Sequence, residues 1–413
     1  MVQRRTLVVL SVAQIASGIG TAVGFTLSSL VVAQLSGSKT ISGLAGTATV
    51  LGAALLALPT ARTSGKGGRR AGLALAYGCA LVGCVIILAA VTVRSWPLLL
   101  GGLVLFGSAG AGSLASRYSA TDLSPPGHTA RHLAWVVWAA TIGSVAGPNL
   151  AEPVERLGRS LGLAPDTGPF ALSLIAFAVA LVVILAGLRP DPLLLARSLA
   201  PAENPAAPEK GGPRRGGTPR TAWRTLRREP GASRALAAIA VSHTAMVSIM
   251  SMTPVHLGHG GATYSVIGIV LSLHIAGMYI LSPVVGWLSD RIGRVRVLVL
   301  GMGFLLAAAV LAGGAGPHDV ARVAAGLTLL GLGWSCGLIS GSAMLSEAVR
   351  LEDRPAVQGV SDLLMNVCGA VGAALAGVVV GTLSYGVLGT AVAVMVTVTG
   401  AWLVLRPVHL ASA

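Results

Sequence analysis

Charged residues are scarce in this chain of 413 residues, where Asp, Glu, Lys and Arg together make up only 10%. A soluble chain of this length carries about a quarter charged residues, so the composition excludes most classes of aqueous enzyme. Aromatic residues are also few, at 4%, whereas 55 residues are glycine. Small residues allow transmembrane helices to approach each other closely. These features together predict helices that pack within a lipid bilayer.

Cysteine is rare as well, and the four residues form no Cys-x-x-Cys pair: Cys79, Cys84, Cys336 and Cys368. This dispersion favours small apolar packing residues over disulfides. The sequence also lacks a phosphate-binding loop, a hydrolase triad and a cluster of nuclease carboxylates. We therefore expect a protein that is not an enzyme and holds no permanently bound cofactor. Its energy source would be an ion or substrate gradient.

Ten stretches of the chain contain no Asp, Glu, Lys or Arg, and each is long enough to cross a hydrocarbon core. Two of them, 235–289 and 363–405, are long enough to cross it twice. The other eight are 6–38, 40–61, 71–93, 95–116, 132–151, 167–188, 297–318 and 323–346. The pattern predicts an all-α membrane protein with twelve transmembrane helices.

The basic excess of the chain follows this topology. If both termini lie on one side, that side holds 24 of the 29 Lys and Arg residues and the opposite loops hold five. The positive-inside rule then places both termini in the cytoplasm. Membrane topology thereby accounts for the net charge of +15, and binding of nucleic acid is not needed to explain it. We expect a multi-pass protein of the inner (plasma) membrane, a monomer whose partners are the lipid bilayer and a small transported substrate.

A polar, proline-rich segment divides the chain in two. The predicted boundaries are an N-terminal six-helix half at 1–188, a cytoplasmic linker at 189–233 and a C-terminal six-helix half at 234–413. Its composition predicts a flexible linker that ends in a short interfacial helix from Trp223 to Arg228.

The loop after the eighth predicted helix carries the most specific motif, with Gly286, Asp290, Arg291, Gly293 and Arg294. It resembles the signature loop of the major facilitator superfamily. That resemblance implies two six-helix halves that alternate access to a substrate site between them, near the bilayer midplane. We expect the five residues to form a conformational latch, in which Asp290 caps a helix or pairs with arginines. The equivalent loop at 61–70 keeps its basic residues but has no acid.

Gly143, Gly147 and Pro148 form a second motif, on the fifth predicted helix. It is similar to a motif of drug and proton antiporters in the same superfamily, although neighbouring glycines of that motif are missing. The mid-helix arginine usual on the fourth helix of such antiporters is also missing. We therefore favour a tight, kinked packing face for this motif.

Acidic residues are absent from the middle of every predicted helix. Asp122, Asp290, Glu347 and Asp362 all fall toward cytoplasmic ends, where Arg117 could pair with Asp122 or Asp362. A buried carboxylate usually marks a proton-coupled transporter, so the titratable candidates at depth are two histidines, His243 and His274.

Methionine and histidine concentrate on the seventh and eighth predicted helices. Met246 and Met250 share one helical face, and His274 and Met278 repeat the same spacing. Met246 and His274 are each 14 residues from the turn near residue 260, about 21 Å along a helix. Antiparallel neighbouring helices would place Met246 and His274 at matching depth, where three thioethers and an imidazole could converge on one small site. Thioether and imidazole ligands together select Cu(I).

These paired motifs resemble those of the CcoA-like copper importers, a branch of the major facilitator superfamily. The resemblance implies that Met246, Met250, His274 and Met278 bind the transported copper. Three further residues, His243, Met252 and His256, are candidates for a proton step or for substrate access.

Two alternatives to copper uptake remain open at this point. One is proton-coupled efflux, or import, of a small hydrophobic organic compound, because methionine in an apolar helix usually serves packing. The other is a membrane sensor or assembly factor that resembles a transporter.

Overall fold

The computed structural model describes residues 1–200 and 219–405, and its regular structure there is entirely α-helical. The first eight helices are α1 (Val2–Ser36), α2 (Lys39–Ser42), α3 (Leu44–Thr92), α4 (Trp96–Phe106), α5 (Ser108–Ser119), α6 (Thr129–Ser160), α7 (Gly168–Gly187) and α8 (Pro192–Leu199). The other eight are α9 (Pro219–Arg228), α10 (Pro230–His259), α11 (Tyr264–Tyr279), α12 (Ser282–Ile292), α13 (Arg294–Gly313), α14 (Val320–Ala348), α15 (Arg354–Thr382) and α16 (Tyr385–Leu405).

The spanning helices agree with the charge-free stretches of the sequence. Among the described residues ten continuous helical stretches are long and apolar enough to cross a membrane, and the bent α6 supplies an eleventh. α3 has 49 residues, about 74 Å of helix, and is broken at Gly68. Because that length and that break provide two crossings, the described ranges hold twelve, and the predicted all-α membrane architecture is confirmed.

Glycine with positive φ turns the chain at two equivalent positions. Gly68 has φ 85° and ψ 171°, and Gly293 has φ 97° and ψ 151°. Side-chain-bearing residues rarely adopt this conformation, whereas glycine does so at little cost. Each glycine precedes an arginine, Arg69 or Arg294, so the two turns present equivalent guanidinium groups.

Cα packing divides the described residues into two compact units. Within the described residues, unit 1 draws on 1–124, 139–200, 219–225 and 349–363, and unit 2 on 125–138, 226–348 and 364–405. The sequence boundaries at 1–188, 189–233 and 234–413 stay a prediction. The middle of the predicted flexible linker, 201–218, lies outside the described residues.

The core of unit 1 forms where α1, α4 and α7 meet. The rings of Phe106 and Phe177 are both fully buried and stack edge to face, with centroids 5.3 Å apart. Gly24 of α1 permits this approach, because an added Cβ would lie 2.5 Å from the Phe106 ring. Burial of such aromatic side chains supplies large apolar contact areas in a unit with few aromatics.

Unit 2 is organised around α14. Within the most apolar 18 residues of α14, 72% are buried, more than in any of the other nine unbroken spans. α10, α11 and α13 all pack along it, whereas α10 and α11 contact each other only slightly. α14 therefore lies between the two helices that carry the methionine and histidine motifs.

Two glycines of α3 provide a matched test of this close packing. A Cβ added to Gly52 would lie 1.7 Å from the carbonyl oxygen of Val104, whereas one added to Gly78 would meet nothing within 4 Å. We expect Gly52→Ala to destabilise the protein by about 1–3 kcal/mol through overpacking. Gly78→Ala should be neutral or stabilising by up to about 1 kcal/mol, since alanine favours the helix. Thermal unfolding of both variants in detergent checks this; equal midpoints would contradict it.

Candidate functional site

A histidine and two aromatic side chains meet at the middle of three spanning helices in unit 2. His243 lies on α10, Tyr279 on α11 and Trp334 on α14, each within two residues of the centre of its span. The indole Nε1–H of Trp334 donates to Nδ1 of His243 over 3.1 Å. The Tyr279 ring packs edge to face on the same indole, at 5.7 Å between centroids. We call these three residues the mid-span cluster.

The geometry of the mid-span cluster fixes the orientation of its imidazole. Because Nδ1 of His243 accepts the indole proton, a neutral imidazole carries its own proton on Nε2. That nitrogen faces α15 at Gly369, where an added Cβ would lie 2.8 Å from it. Trp334 is almost fully buried, whereas His243 and Tyr279 are partly exposed. The cluster therefore connects α10, α11, α14 and α15 near the middle of the spans. Its exposed surface consists of the imidazole of His243 and the phenol ring of Tyr279.

His274, one of the predicted copper ligands, is fully buried against α14. Its Nδ1 lies 2.8 Å from the carbonyl oxygen of Leu327, so Nδ1 carries the proton and donates it. Nε2 is buried and has no hydrogen-bond partner among the described residues. Gly331 allows this approach, because an added Cβ would lie 2.3 Å from the His274 carbonyl oxygen.

The three predicted methionine ligands lie on the two helices that flank α14. Met246 and Met278 are buried, and Met250 is partly exposed. Near Met246, Ser242 of α10 contacts α14 at Gly337, whereas His274 of α11 contacts it at Leu327 and Gly331. The helices that carry the two motifs, α10 and α11, thus both pack along α14 and contact each other only slightly.

The residues predicted for substrate access lie at the end of α10. His256 stacks on the ring of Tyr385 at 4.2 Å, and its Nε2 lies 3.1 Å from the carbonyl oxygen of Ala315. The Tyr385 hydroxyl is 2.9 Å from Oγ1 of Thr253. Met252 is partly exposed one turn earlier. His256 therefore participates in packing α10 against its neighbours.

The predicted latch residues all lie in unit 2, where Asp290 and Gly286 contact the start of α6. The Asp290 carboxylate accepts the backbone N–H groups of Ala130 at 3.1 Å and Arg131 at 2.9 Å, in the first turn of α6. This is the capping role expected of the acid, which also meets the positive end of the helix dipole. Gly286 brings α12 against α6, since an added Cβ would lie 2.5 Å from Ala134.

The two arginines of the predicted latch differ in their contacts. Arg294 donates to Asp290 at 2.5 Å and to both oxygens of Glu347, at 3.1 and 2.7 Å. The guanidinium of Arg291 instead lies 5.1 Å from the ring centre of Trp287. Arg294 therefore links α13 to α12 and α14, while Gly293 makes the turn before it.

Unit 1 holds an equivalent but more deeply buried charge network. Arg69 makes two hydrogen bonds to Asp122, at 2.7 and 3.0 Å, and a third to Gln358 at 2.7 Å. Arg117 pairs with Asp362 at 2.7 Å. Of the two partners open to Arg117 in the sequence, the structure selects Asp362. The other acid, Asp122, is taken by Arg69.

The glycine motif of α6 packs on α1 within unit 1. An added Cβ at Gly143 would lie 2.7 Å from the backbone of Gly18, and one at Gly147 would lie 2.4 Å from Ala22. The helix bends by 52° between Gly147 and Asn149, on either side of Pro148. These contacts match the kinked packing face favoured by the sequence.

In residues 1–200 and 219–405, no group of three or more His, Cys, Asp and Glu side chains is placed to hold a metal ion. The four cysteines are free thiols. The copper ligands predicted from the sequence are of another kind, one imidazole (His274) and three methionine thioethers.

Comparison with known proteins agrees with this architecture. A sequence model of the Major Facilitator Superfamily matches residues 10–262 and 235–413. The chain is 33% identical over 405 residues to the uncharacterized MFS-type transporter YddS of Bacillus subtilis strain 168, covering 95% of this chain and 88% of YddS. It is 27% identical over 367 residues to the riboflavin transporter RfnT of Brucella anthropi, covering 88% and 85%.

Solved structures share the fold. The human organic anion transporter MFSD10 superposes with a TM-score of 0.78 at 16% identity, over 97% of this chain and 99% of that one. Twelve spans, the signature loop at 286–296 and a family model that matches most of the sequence agree, and the chain belongs to the major facilitator superfamily.

Proposed function

We propose that this secondary transporter carries a small organic solute with a flat conjugated ring, and that the mid-span cluster contacts that ring. The observation that supports this most directly is the meeting of His243, Tyr279 and Trp334 at the centre of three spans. Aromatic side chains favour stacked or edge-to-face contact with other rings. The histidine adds a polar group that can orient a heteroaromatic solute.

The relationship to RfnT suggests the first solute to test. RfnT is a riboflavin transporter, and this chain aligns with 85% of its length. Riboflavin has a fused, planar ring system with hydrogen-bonding edges. We therefore propose a flavin or a chemically similar heteroaromatic compound as the substrate class.

His243 offers a means of coupling transport to protons without a carboxylate at mid-depth. Its Nδ1 accepts the indole proton of Trp334, and a protonated imidazole has no acceptor left. Proton uptake would therefore break this hydrogen bond and release the Trp334 indole. This retains for His243 the proton step predicted from the sequence.

Counterflow in proteoliposomes tests the proposed substrate class without assuming the direction of transport. Vesicles that contain the purified protein are loaded with unlabelled riboflavin and diluted into tritiated riboflavin. We expect transient accumulation of label that saturates with concentration and is absent from vesicles without protein. Failure to accumulate riboflavin and a panel of pterins and other flavins would reject the proposal.

We also propose the membrane and the orientation. The 24 basic residues assigned to one side support a plasma-membrane protein with both termini in the cytoplasm. We further propose that it works as a monomer and binds no nucleic acid. Fluorescent-protein and alkaline-phosphatase fusions after residue 405 test the orientation, since the former matures only in the cytoplasm and the latter only outside it.

Copper uptake is the second candidate, and His274 is the observation that favours it. Its Nδ1–H is held by a backbone carbonyl, which leaves the Nε2 lone pair in the orientation that metal-binding histidines commonly have. Met278, four residues later, is buried on the same helix. Against this candidate, Met246 and Met250 lie on α10 and the other two residues on α11, and these two helices contact each other only slightly.

Copper accumulation separates the two candidates. If copper is the substrate, His274→Ala and Met246→Leu should each lower copper uptake by about tenfold or more in cells with matched membrane abundance, because each removes a ligand. Met302→Leu is the control, since Met302 is buried on α13 and belongs to neither motif. Equal copper content in wild type and all three variants would reject copper.

A further inference from the structure

Unit 1 contains an open groove at the end of its sixth crossing, remote in sequence from every residue of the mid-span cluster. The groove has a volume of about 440 Å³ and is formed by the start of the second half of α3, the end of α7 and the start of α8. Two arginines line it, Arg70 and Arg189. Its apolar lining includes three leucines, Leu185, Leu188 and Leu194.

The polar side of the groove contains an unsatisfied donor. Nε of Arg70 is buried and has no hydrogen-bond partner among the described residues. Asp191 also lines the groove, but its carboxylate is occupied by backbone N–H groups. One oxygen accepts from the backbone N–H of Arg70 at 2.8 Å. The other accepts from the backbone N–H groups of Leu193 at 3.0 Å and Leu194 at 3.2 Å. The guanidinium of Arg70 therefore remains available to an external anion.

The apolar side of the groove continues onto the outer surface. Leu185 and Leu194 are 36% and 44% exposed, whereas Leu188 beneath them is 1% exposed. Leu185 lies in the last turn of α7, where the spanning helix ends at Gly187. The groove thus combines cationic donors with exposed leucines at the level where a spanning helix leaves the hydrocarbon core.

We propose that this groove binds the headgroup of an anionic phospholipid, with the phosphate at Arg70 and Arg189 and the upper acyl chain along Leu185 and Leu194. Basic pockets between transmembrane helices on the cytoplasmic side are suited to anionic headgroups, and arginine matches the geometry of phosphate. A soluble anion would satisfy the arginines and leave the leucines uncovered. A zwitterionic lipid would bring a cation toward the same two guanidinium groups.

Native mass spectrometry of the full-length protein in detergent tests this proposal. The protein is incubated with phosphatidylglycerol and phosphatidylcholine of identical acyl chains, and the retained lipids are counted. We expect phosphatidylglycerol to be retained about 25-fold better than phosphatidylcholine, since each of the two arginines near the headgroup favours the anion by about fivefold. The double variant Arg70→Gln/Arg189→Gln should retain both lipids equally.

Two single variants at exposed positions separate lipid binding from a loss of folding. Arg62→Gln removes a charge from an exposed residue of α3 that does not line the groove, and it should retain the wild-type preference. Leu194→Asp changes an exposed wall residue and should lower phosphatidylglycerol retention by about tenfold through charge repulsion. The wild-type preference in both the double variant and Leu194→Asp would overturn the proposal.

Two further measurements identify other occupants. Millimolar inorganic phosphate should leave phosphatidylglycerol bound; complete displacement would overturn the proposal in favour of a soluble-anion site. A chain lacking residues 201–218 should bind the lipid as the full chain does. Binding only after this deletion would show that the linker, with Glu203 and Glu209, occupies the groove instead.

Discussion

Replacing Trp334 with phenylalanine should raise the riboflavin concentration needed for half-maximal counterflow by about tenfold, while the protein still folds. Phenylalanine keeps a ring against Tyr279 but removes the Nε1–H that donates to His243. A hydrogen bond of this kind contributes about 0.5–1.5 kcal/mol, and 1.4 kcal/mol corresponds to tenfold. Trp334→Ala also removes the ring and should reduce transport further, below detection.

A double-variant cycle makes this prediction specific to the cluster. His243→Gln and Trp334→Phe disrupt the same hydrogen bond, so their effects on half-maximal concentration should be less than additive when combined. Trp402→Phe, near the end of α16, is the control and should transport as the wild type does. Wild-type transport by Trp334→Phe would contradict the prediction, and strictly additive effects would show that His243 and Trp334 act on transport independently of their hydrogen bond.

A pH series provides a second readout of the same residue. If protonation of His243 releases Trp334, the wild type should show a pH-dependent step in counterflow that Trp334→Phe lacks, because the variant has no indole N–H to release. Identical pH profiles for the two proteins would contradict the proposed role of His243 in proton coupling. The prediction that the cluster contacts the solute would then depend only on the half-maximal riboflavin concentrations.

Much of the fold follows from the distribution of charge along the sequence. The charge-free stretches locate the crossings because unpaired charges are costly in hydrocarbon. The stretches 40–61 and 71–93 correspond to the two parts of α3, which the structure joins through the helical break at Gly68. The capping role of Asp290 is also predictable, since an acid near a helix N-terminus is a local signal.

The candidate site is less predictable because its residues are close in space but far apart along the sequence. Counting from the turn near residue 260 gives the depth of Met246 and His274, but it carries no information about α14, which lies between their helices. The sequence does not identify Trp334 as a site residue for the same reason. One signal is available: the chain has only seven tryptophans, and Trp334 is in the middle of the charge-free stretch 323–346.

The charge network of unit 1 shows the same limit. The sequence leaves Arg117 open to Asp122 or Asp362 and gives Arg69 no partner at all. Arg69 and Asp122 are 53 residues apart, and only the packing of α3 against α5 brings them together. Long-range ion pairs of this kind depend on tertiary structure and leave no local pattern.

Asp122→Ala should be among the most destabilising single changes in the protein. The side chains of Arg69 and Asp122 are 3% and 0% exposed and share two hydrogen bonds. Removing the carboxylate leaves the Arg69 guanidinium buried with Gln358 as its remaining neutral partner. Breaking a buried pair in this way costs about 3–5 kcal/mol. We expect the midpoint of thermal unfolding in detergent to fall by about 5 °C or more.

Two comparisons show whether this loss comes from the unpaired charge. The exposed pair of Arg156 and Glu152 is 73% and 78% exposed, so Glu152→Ala should cost less than about 1 kcal/mol. The double variant Arg69→Met/Asp122→Leu removes both buried charges and should recover most of the stability lost in Asp122→Ala, because apolar replacements of a buried pair are often neutral. If the double variant is as unstable as the single one, the loss of stability does not come from the unpaired charge of Arg69, because the double variant has no such charge.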